Sequence, residues 1–148
     1  MPPTTKKLTI AAALLDRALG LYYEGNSNFA ALHLAGGADE LLGKHLNASG
    51  RESSFESLRN AAVRFSKYVS EDRTDSAPKA MAAVMNHAKN ATKHMDGQSD
   101  GEVHFDARSE AHDLLDRAVT NYYELMGMYE LPETELIGRF NRELVGGA

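Results

Sequence analysis

The stretch Leu8-Thr9-Ile10-Ala11-Ala12-Ala13-Leu14-Leu15-Asp16-Arg17-Ala18-Leu19-Gly20-Leu21-Tyr22-Tyr23-Glu24-Gly25-Asn26-Ser27-Asn28 decides the fold class. Leu8, Ala11, Leu15, Ala18, Leu19 and Tyr22 recur at the three- and four-residue steps that place side chains on one face of an α-helix. Gly25 to Asn28 then supply a turn and a helix cap. A link this short returns the next helix antiparallel to the first. The stretch therefore opens an up-and-down helical bundle.

The same periodicity continues outward. A second helix is expected over about residues 29–46, carrying Ala30, Leu34, Ala38, Leu41 and Leu42. Its centre, Ala35-Gly36-Gly37-Ala38, holds two glycines that each cost about 1 kcal/mol relative to alanine in a helix. Close approach of another helix compensates such a cost, and a kink is the alternative. A third helix over about residues 54–69 places Phe55, Leu58, Ala62, Phe65 and Val69 at helical spacing. Ser70 to Ala77 is a polar link, and Pro78 suits the first turn of a fourth helix reaching about Met95. Asp96-Gly97-Gln98-Ser99-Asp100-Gly101 is a turn or mobile loop. Asp106 caps a fifth helix to about Met128, and Pro132 opens a short terminal one to about Leu144.

No apolar segment has a period of two, so the expectation is an all-α bundle of five to six helices in a single domain, 1–148. Residues 1–7 and 145–148 are read as flexible ends and 96–104 as a loop. Leu14-Leu15-Asp16-Arg17-Ala18 and Tyr22-Tyr23-Glu24 recur as Leu114-Leu115-Asp116-Arg117-Ala118 and Tyr122-Tyr123-Glu124. This echo predicts that the first and fifth helices use similar faces, each tyrosine pair giving one ring to the core and one to its boundary.

Composition narrows the function. With 148 residues, 43% hydrophobic and 25% charged, the chain is long enough to bury a core. Its four prolines, two at positions 2 and 3, leave room for long helices. The absence of cysteine excludes disulfides, thiolate metal sites and a cysteine nucleophile. No apolar run approaches the roughly 20 residues of a membrane span. Asp16 and Arg17 interrupt the run after Lys6 and Lys7 that would otherwise look like a signal peptide, so a cytoplasmic protein is expected. A net charge of −5 argues against a general DNA-coating role.

Motifs for cofactor chemistry are missing. No histidine follows a glutamate at the Glu-x-x-His spacing of carboxylate-bridged metal bundles, and no phosphate or dinucleotide loop occurs. Neither a metal nor a cofactor is implied. The informative segment is the fourth helix, where Met81, Val84, Met85, Ala88, Ala91, Thr92 and Met95 form an apolar stripe. His87 and His94 fall at the edge of that stripe with Asn90 between them, and Lys89 and Lys93 are expected to point toward solvent. No acid occurs from Ala77 to Met95, while Lys79, Lys89 and Lys93 do. A sheltered imidazole can move protons on a hydroxyl or phosphate oxygen, and nearby ammonium groups can hold a phosphate. RNA brings its own nucleophile in the 2′-hydroxyl, so such a site needs no metal. The plain alternative makes His87 and His94 boundary histidines that bond to neighbouring helices.

Lys89-Asn90-Ala91-Thr92-Lys93-His94, late on a helix and followed by an Asp-Gly loop, resembles the signature of HEPN proteins: an arginine, often a polar residue, then a histidine after four to six intervening positions. The alanine-rich stretch from Asn28 to Lys44 is similar to the second helix of such proteins and of a set of small bacterial proteins. The resemblance implies a helical bundle that forms homodimers, with two motif histidines in one cleft. It implies an RNA-associated module, active or inactive as a metal-independent RNase, of a bacterial stress or defence system. His94 would be the acid/base, Asn90 the polar orienter and Lys89 the group in the arginine position, with His87 and Lys93 binding RNA. Lysine at position 89 keeps the charge but lacks the planar fork that grips phosphate twice, so weak cleavage or none is expected. The rival expectation is a non-catalytic helical module that binds a protein partner. Neither reading involves a membrane.

Overall fold

Residues 1–69 and 78–146 are described by a computed structural model, and the described residues form helices without a strand. Seven helices follow in order: α1 (Lys7–Glu24), α2 (Asn28–Ala48), α3 (Ser54–Val69), α4 (Pro78–Met85), α5 (His87–Ala91), α6 (Ala107–Met126) and α7 (Glu135–Gly146). The count exceeds five to six because the expected fourth helix is broken at Asn86 into α4 and α5. The link 70–77 lies outside the described residues.

Local signals set several boundaries. Gly25 ends α1 in the left-handed region at φ 85°, and its amide donates to the Leu21 carbonyl at 3.1 Å. The turn caps α2 through its backbone alone: Ser27 makes no side-chain cap bond, and its carbonyl accepts from the Ala31 amide. Asp106 caps α6 as expected, its carboxylate accepting from the Ser109 amide at 2.8 Å. The start of α3 is fixed more firmly. Ser53 accepts from the Glu56 amide at 3.1 Å, and the Asn121 side chain accepts from the Ser54 amide at 2.8 Å.

Helix α2 runs between α1 and α6 and packs on both. Two covering neighbours explain why its buried arc is wider than one stripe, taking in Ala31, Leu32, Ala35, Ala38, Leu42 and Leu46. Ala30, expected on the inner face, is exposed. Leu15 and Leu19 from α1 and Leu115, Leu125 and Tyr122 from α6 complete this core. Ile137 and Phe140 of α7 close one side.

The echoed segments do use similar faces: Leu15 and Leu115, and Ala18 and Ala118, are all fully buried. Their arginines part company. Arg17 is exposed and pairs loosely with Glu24 at 3.9 Å, whereas Arg117 is buried. Tyr122 is buried, with its hydroxyl donating to the Pro132 carbonyl at 2.6 Å, and Tyr123 lies at the boundary.

Outside the core, the apolar stripes of α3 and α4 are only partly covered. Leu58, Phe65 and Val84 are 52%, 66% and 72% exposed. Two substitutions separate core from uncovered stripe. Leu115→Ala is expected to lower unfolding free energy by about 2–5 kcal/mol, through lost burial and the cavity left behind. Phe65→Ser is expected to change it by only about 0.5 kcal/mol. Urea denaturation followed by circular dichroism measures both, and an equal loss in the two variants would place Phe65 in the core.

Candidate functional site

Two charged residues occupy positions where helical periodicity asks for apolar ones. Asp39 lies between Ala35 and Leu42 on the buried arc of α2, and Arg117 between Leu114 and Asn121 on that of α6. They meet as a bidentate pair: Arg117 Nε donates to Asp39 Oδ1 at 3.3 Å and Nη2 to Oδ2 at 2.5 Å. Two further guanidinium hydrogens are also used. Nη2 donates to the Asn86 side-chain oxygen at 3.0 Å, and Nη1 to the Met85 carbonyl at 3.4 Å. The guanidinium carbon sits 4.8 Å from the centre of the Phe55 ring.

That geometry accounts for the break in the expected fourth helix. A side chain from α6 donates to the carbonyl of Met85 and to the side-chain oxygen of Asn86 at the junction, where Asn86 adopts φ −100° and ψ 7°. Past the junction Ala88 and Lys89 are buried.

Lys89 does not point toward solvent. Its side chain is 8% exposed, and Nζ lies 3.8 Å from both Asp39 Oδ2 and Glu40 Oε2. The stem crosses α2 at Gly36, where a Cβ would stand 2.7 Å from Lys89 Cγ and 2.9 Å from Cδ. The small-residue centre of α2 thus admits one lysine stem, and the close approach is made by a side chain. Burial pushes the Asp39 carboxyl above its ordinary range against the pull of Arg117 and Lys89. Burial likewise pushes the Lys89 ammonium down, against Asp39 and Glu40. Two carboxylates face two cations, so the cluster has no cation left over for a phosphate.

A polar cleft of about 330 Å³ opens over this cluster, walled by Lys44, Glu56 and Arg59. Among the described residues no group of three His, Asp or Glu side chains could hold a metal ion.

The other expected site residues lie elsewhere. His87, Asn90, Lys93 and His94 are exposed. His87 meets the Phe105 ring edge-on at 6.2 Å between centres. Helix α5 ends at Ala91, short of the expected Met95, so His94 follows the helix. Its amide still donates to the Asn90 carbonyl at 3.1 Å. His94 and Lys93 line a shallow groove of about 340 Å³ with Asp100 and Glu102 from the following turn. Lys89 lines the ion-pair cleft instead, so the two ends of the Lys89–His94 motif open onto different depressions. The stripe expected to bury this region is mostly outside the core: Ala88 is buried, but Val84 and Met95 are 72% and 64% exposed.

Sequence reading passed over Asp39, Arg117 and the Ser53-Ser54-Phe55-Glu56 start of α3. The signals were present, as a charge inside each of two apolar stripes and as a serine three residues before a glutamate.

Two experiments test the cluster. Asp39→Ala strands two buried cations and is expected to lower stability by about 3–5 kcal/mol. Gly36→Ala is expected to destabilise the wild type by clashing with the lysine stem. In a Lys89→Ala background it should stabilise by up to about 1 kcal/mol, the helix preference of alanine. Chemical denaturation of the four proteins reads the change of sign, and additive effects would remove Lys89 from Gly36.

No family model matches the chain, and neither a curated protein nor a solved structure matches it.

Proposed function

We propose that this chain is an RNA-associated helical module that holds single-stranded RNA along the exposed edge of His87, Asn90, Lys93 and His94. The observation that carries this reading is the exposure of all four side chains along one short segment without an acid from Ala77 to Met95. Imidazole and amide groups offer stacking and hydrogen bonding to unpaired bases, and Lys93 offers a cation to the backbone. Asp100 and Glu102 line the same groove, and their carboxylates disfavour a phosphate beside them, which leaves Lys93 as its contact. The HEPN-like signature supports the same assignment.

Binding without efficient cutting is the expected activity. His94 stands in the acid/base position of the motif, but its cationic partner Lys89 is neutralised inside the bundle. Transition-state charge on a phosphate would meet little compensation there. The resemblance adds a homodimer, which would bring two such edges into one assembly.

A fluorescently labelled single-stranded RNA of about 20 nucleotides tests the reading by anisotropy at low salt. Wild type is expected to bind, with affinity falling as salt rises. Lys93→Ala combined with His94→Ala is expected to weaken binding about tenfold while leaving the melting temperature unchanged, since both side chains are exposed. Denaturing gels should show the RNA intact with or without chelator. Equal binding by wild type and double variant would sink the proposal, and sedimentation velocity at micromolar concentration tests the dimer.

A further inference from the structure

Between the α3–α4 pair and α6 lies an open groove of about 470 Å³. Its floor is apolar: Ala62 from α3, Ala88 from α5 and Leu114 from α6. Leu58 and Val84 stand on its edges, 52% and 72% exposed. Phe65 continues the Leu58 stripe two turns further along α3 and is 66% exposed. Two large apolar side chains at helical spacing on α3 and one on α4, exposed among the described residues, mark a contact surface.

The other wall of the groove has a definite charge. Glu110, Asp113 and Asp116 line it at three-residue steps along α6, spanning about 9 Å at 1.5 Å per residue. No lysine or arginine among the described residues pairs with any of the three. Arg117 and Lys89 also reach this groove, but both are engaged with Asp39. The surface therefore combines an apolar trough with one acidic rail.

We infer that this groove binds an amphipathic helix of a partner protein, with leucine-like side chains seated on Leu58, Val84 and Leu114 and a lysine- or arginine-rich flank along Glu110, Asp113 and Asp116. Charge selects this occupant over the others. A nucleic acid meets the acidic rail unfavourably. A second copy of the chain brings a net charge of −5 toward the same rail. A basic amphipathic helix satisfies both walls at once, with apolar anchors at i, i+3 or i+4 and i+7. The inference goes beyond the RNA reading and is independent of it, because His87, Asn90, Lys93 and His94 do not line this groove.

The test uses the full chain and a synthetic 18-residue helical peptide with leucines on one face and lysines on both flanks. A matched peptide carries glutamates in place of the lysines. Wild type is expected to bind the basic peptide at least tenfold more tightly than the acidic one, measured by anisotropy. Leu58→Ser with Val84→Ser removes both apolar edges and is expected to weaken binding about tenfold or more. Asp113→Lys with Asp116→Lys is expected to reverse the preference toward the acidic peptide, which loss of folding alone cannot do. Circular dichroism should show each exposed-site variant as helical as wild type. Equal binding of both peptides, or binding untouched by the two groove variants, overturns the inference. So does a homodimer in sedimentation that Leu58→Ser with Phe65→Ser dissociates, because the groove would then be filled by the chain itself.

Discussion

The bidentate contact between Arg117 and Asp39 joins helices whose partners lie far apart in the chain, 78 positions from one residue to the other. One guanidinium holds α6 to α2 through the carboxylate, to the α4–α5 junction through Met85 and Asn86, and to α3 through the face of Phe55. A buried charge pair of this kind is a weak source of net stability, because desolvating both ions offsets most of their attraction. Its consequence is specificity. Parting these two faces would strand each ion in the interior, and removing one partner of such a pair costs about 3–5 kcal/mol.

Much of the surrounding structure follows from that constraint. Arg117 occupies the helix junction at Met85 and Asn86, and the turn after it directs Lys89 into the bundle. The lysine stem then needs a helix face without a Cβ, and Gly36 provides it. Two glycines together cost α2 about 2 kcal/mol in helix preference. Burying two methylenes of the lysine stem, at about 0.8 kcal/mol each, offsets a comparable amount. Lys89 is thereby held by Asp39 and Glu40 inside the bundle, while Lys93 stays on the surface.

The helical class and most helix boundaries were legible because they depend on local chemistry, whereas the number of helices was not, because Asn86 splits the expected fourth helix. Gly25 stops α1 by adopting a backbone that other residues avoid, and Asp106 starts α6 with its own carboxylate. The candidate site was legible only as a set of residue types. Helical angles placed His87, Asn90 and His94 at the edge of the apolar stripe and Lys93 toward solvent, and all four are exposed. The same angles put Lys89 in solvent, wrongly, because they assume one straight helix and the helix breaks three residues earlier. The stripes of α3 and α4 mislead in another way: apolar periodicity reports a face that avoids water, without saying whether this chain or a partner covers it.

By itself the sequence determined an all-helical chain, its turns and caps, and the α1 and α6 faces that share Leu-Leu-Asp-Arg-Ala. These features rest on interactions within a few residues, so local spacing suffices to read them. Only the tertiary structure decided that Arg117 is buried while the equivalent Arg17 is exposed, that Lys89 faces inward, and that Leu58, Phe65 and Val84 remain uncovered. Those outcomes depend on which helix lies opposite: Asp39 stands across from Arg117, whereas Arg17 extends into solvent beside Glu24. Identical local sequence therefore has two fates, because burial of a charge is set by the partner waiting for it.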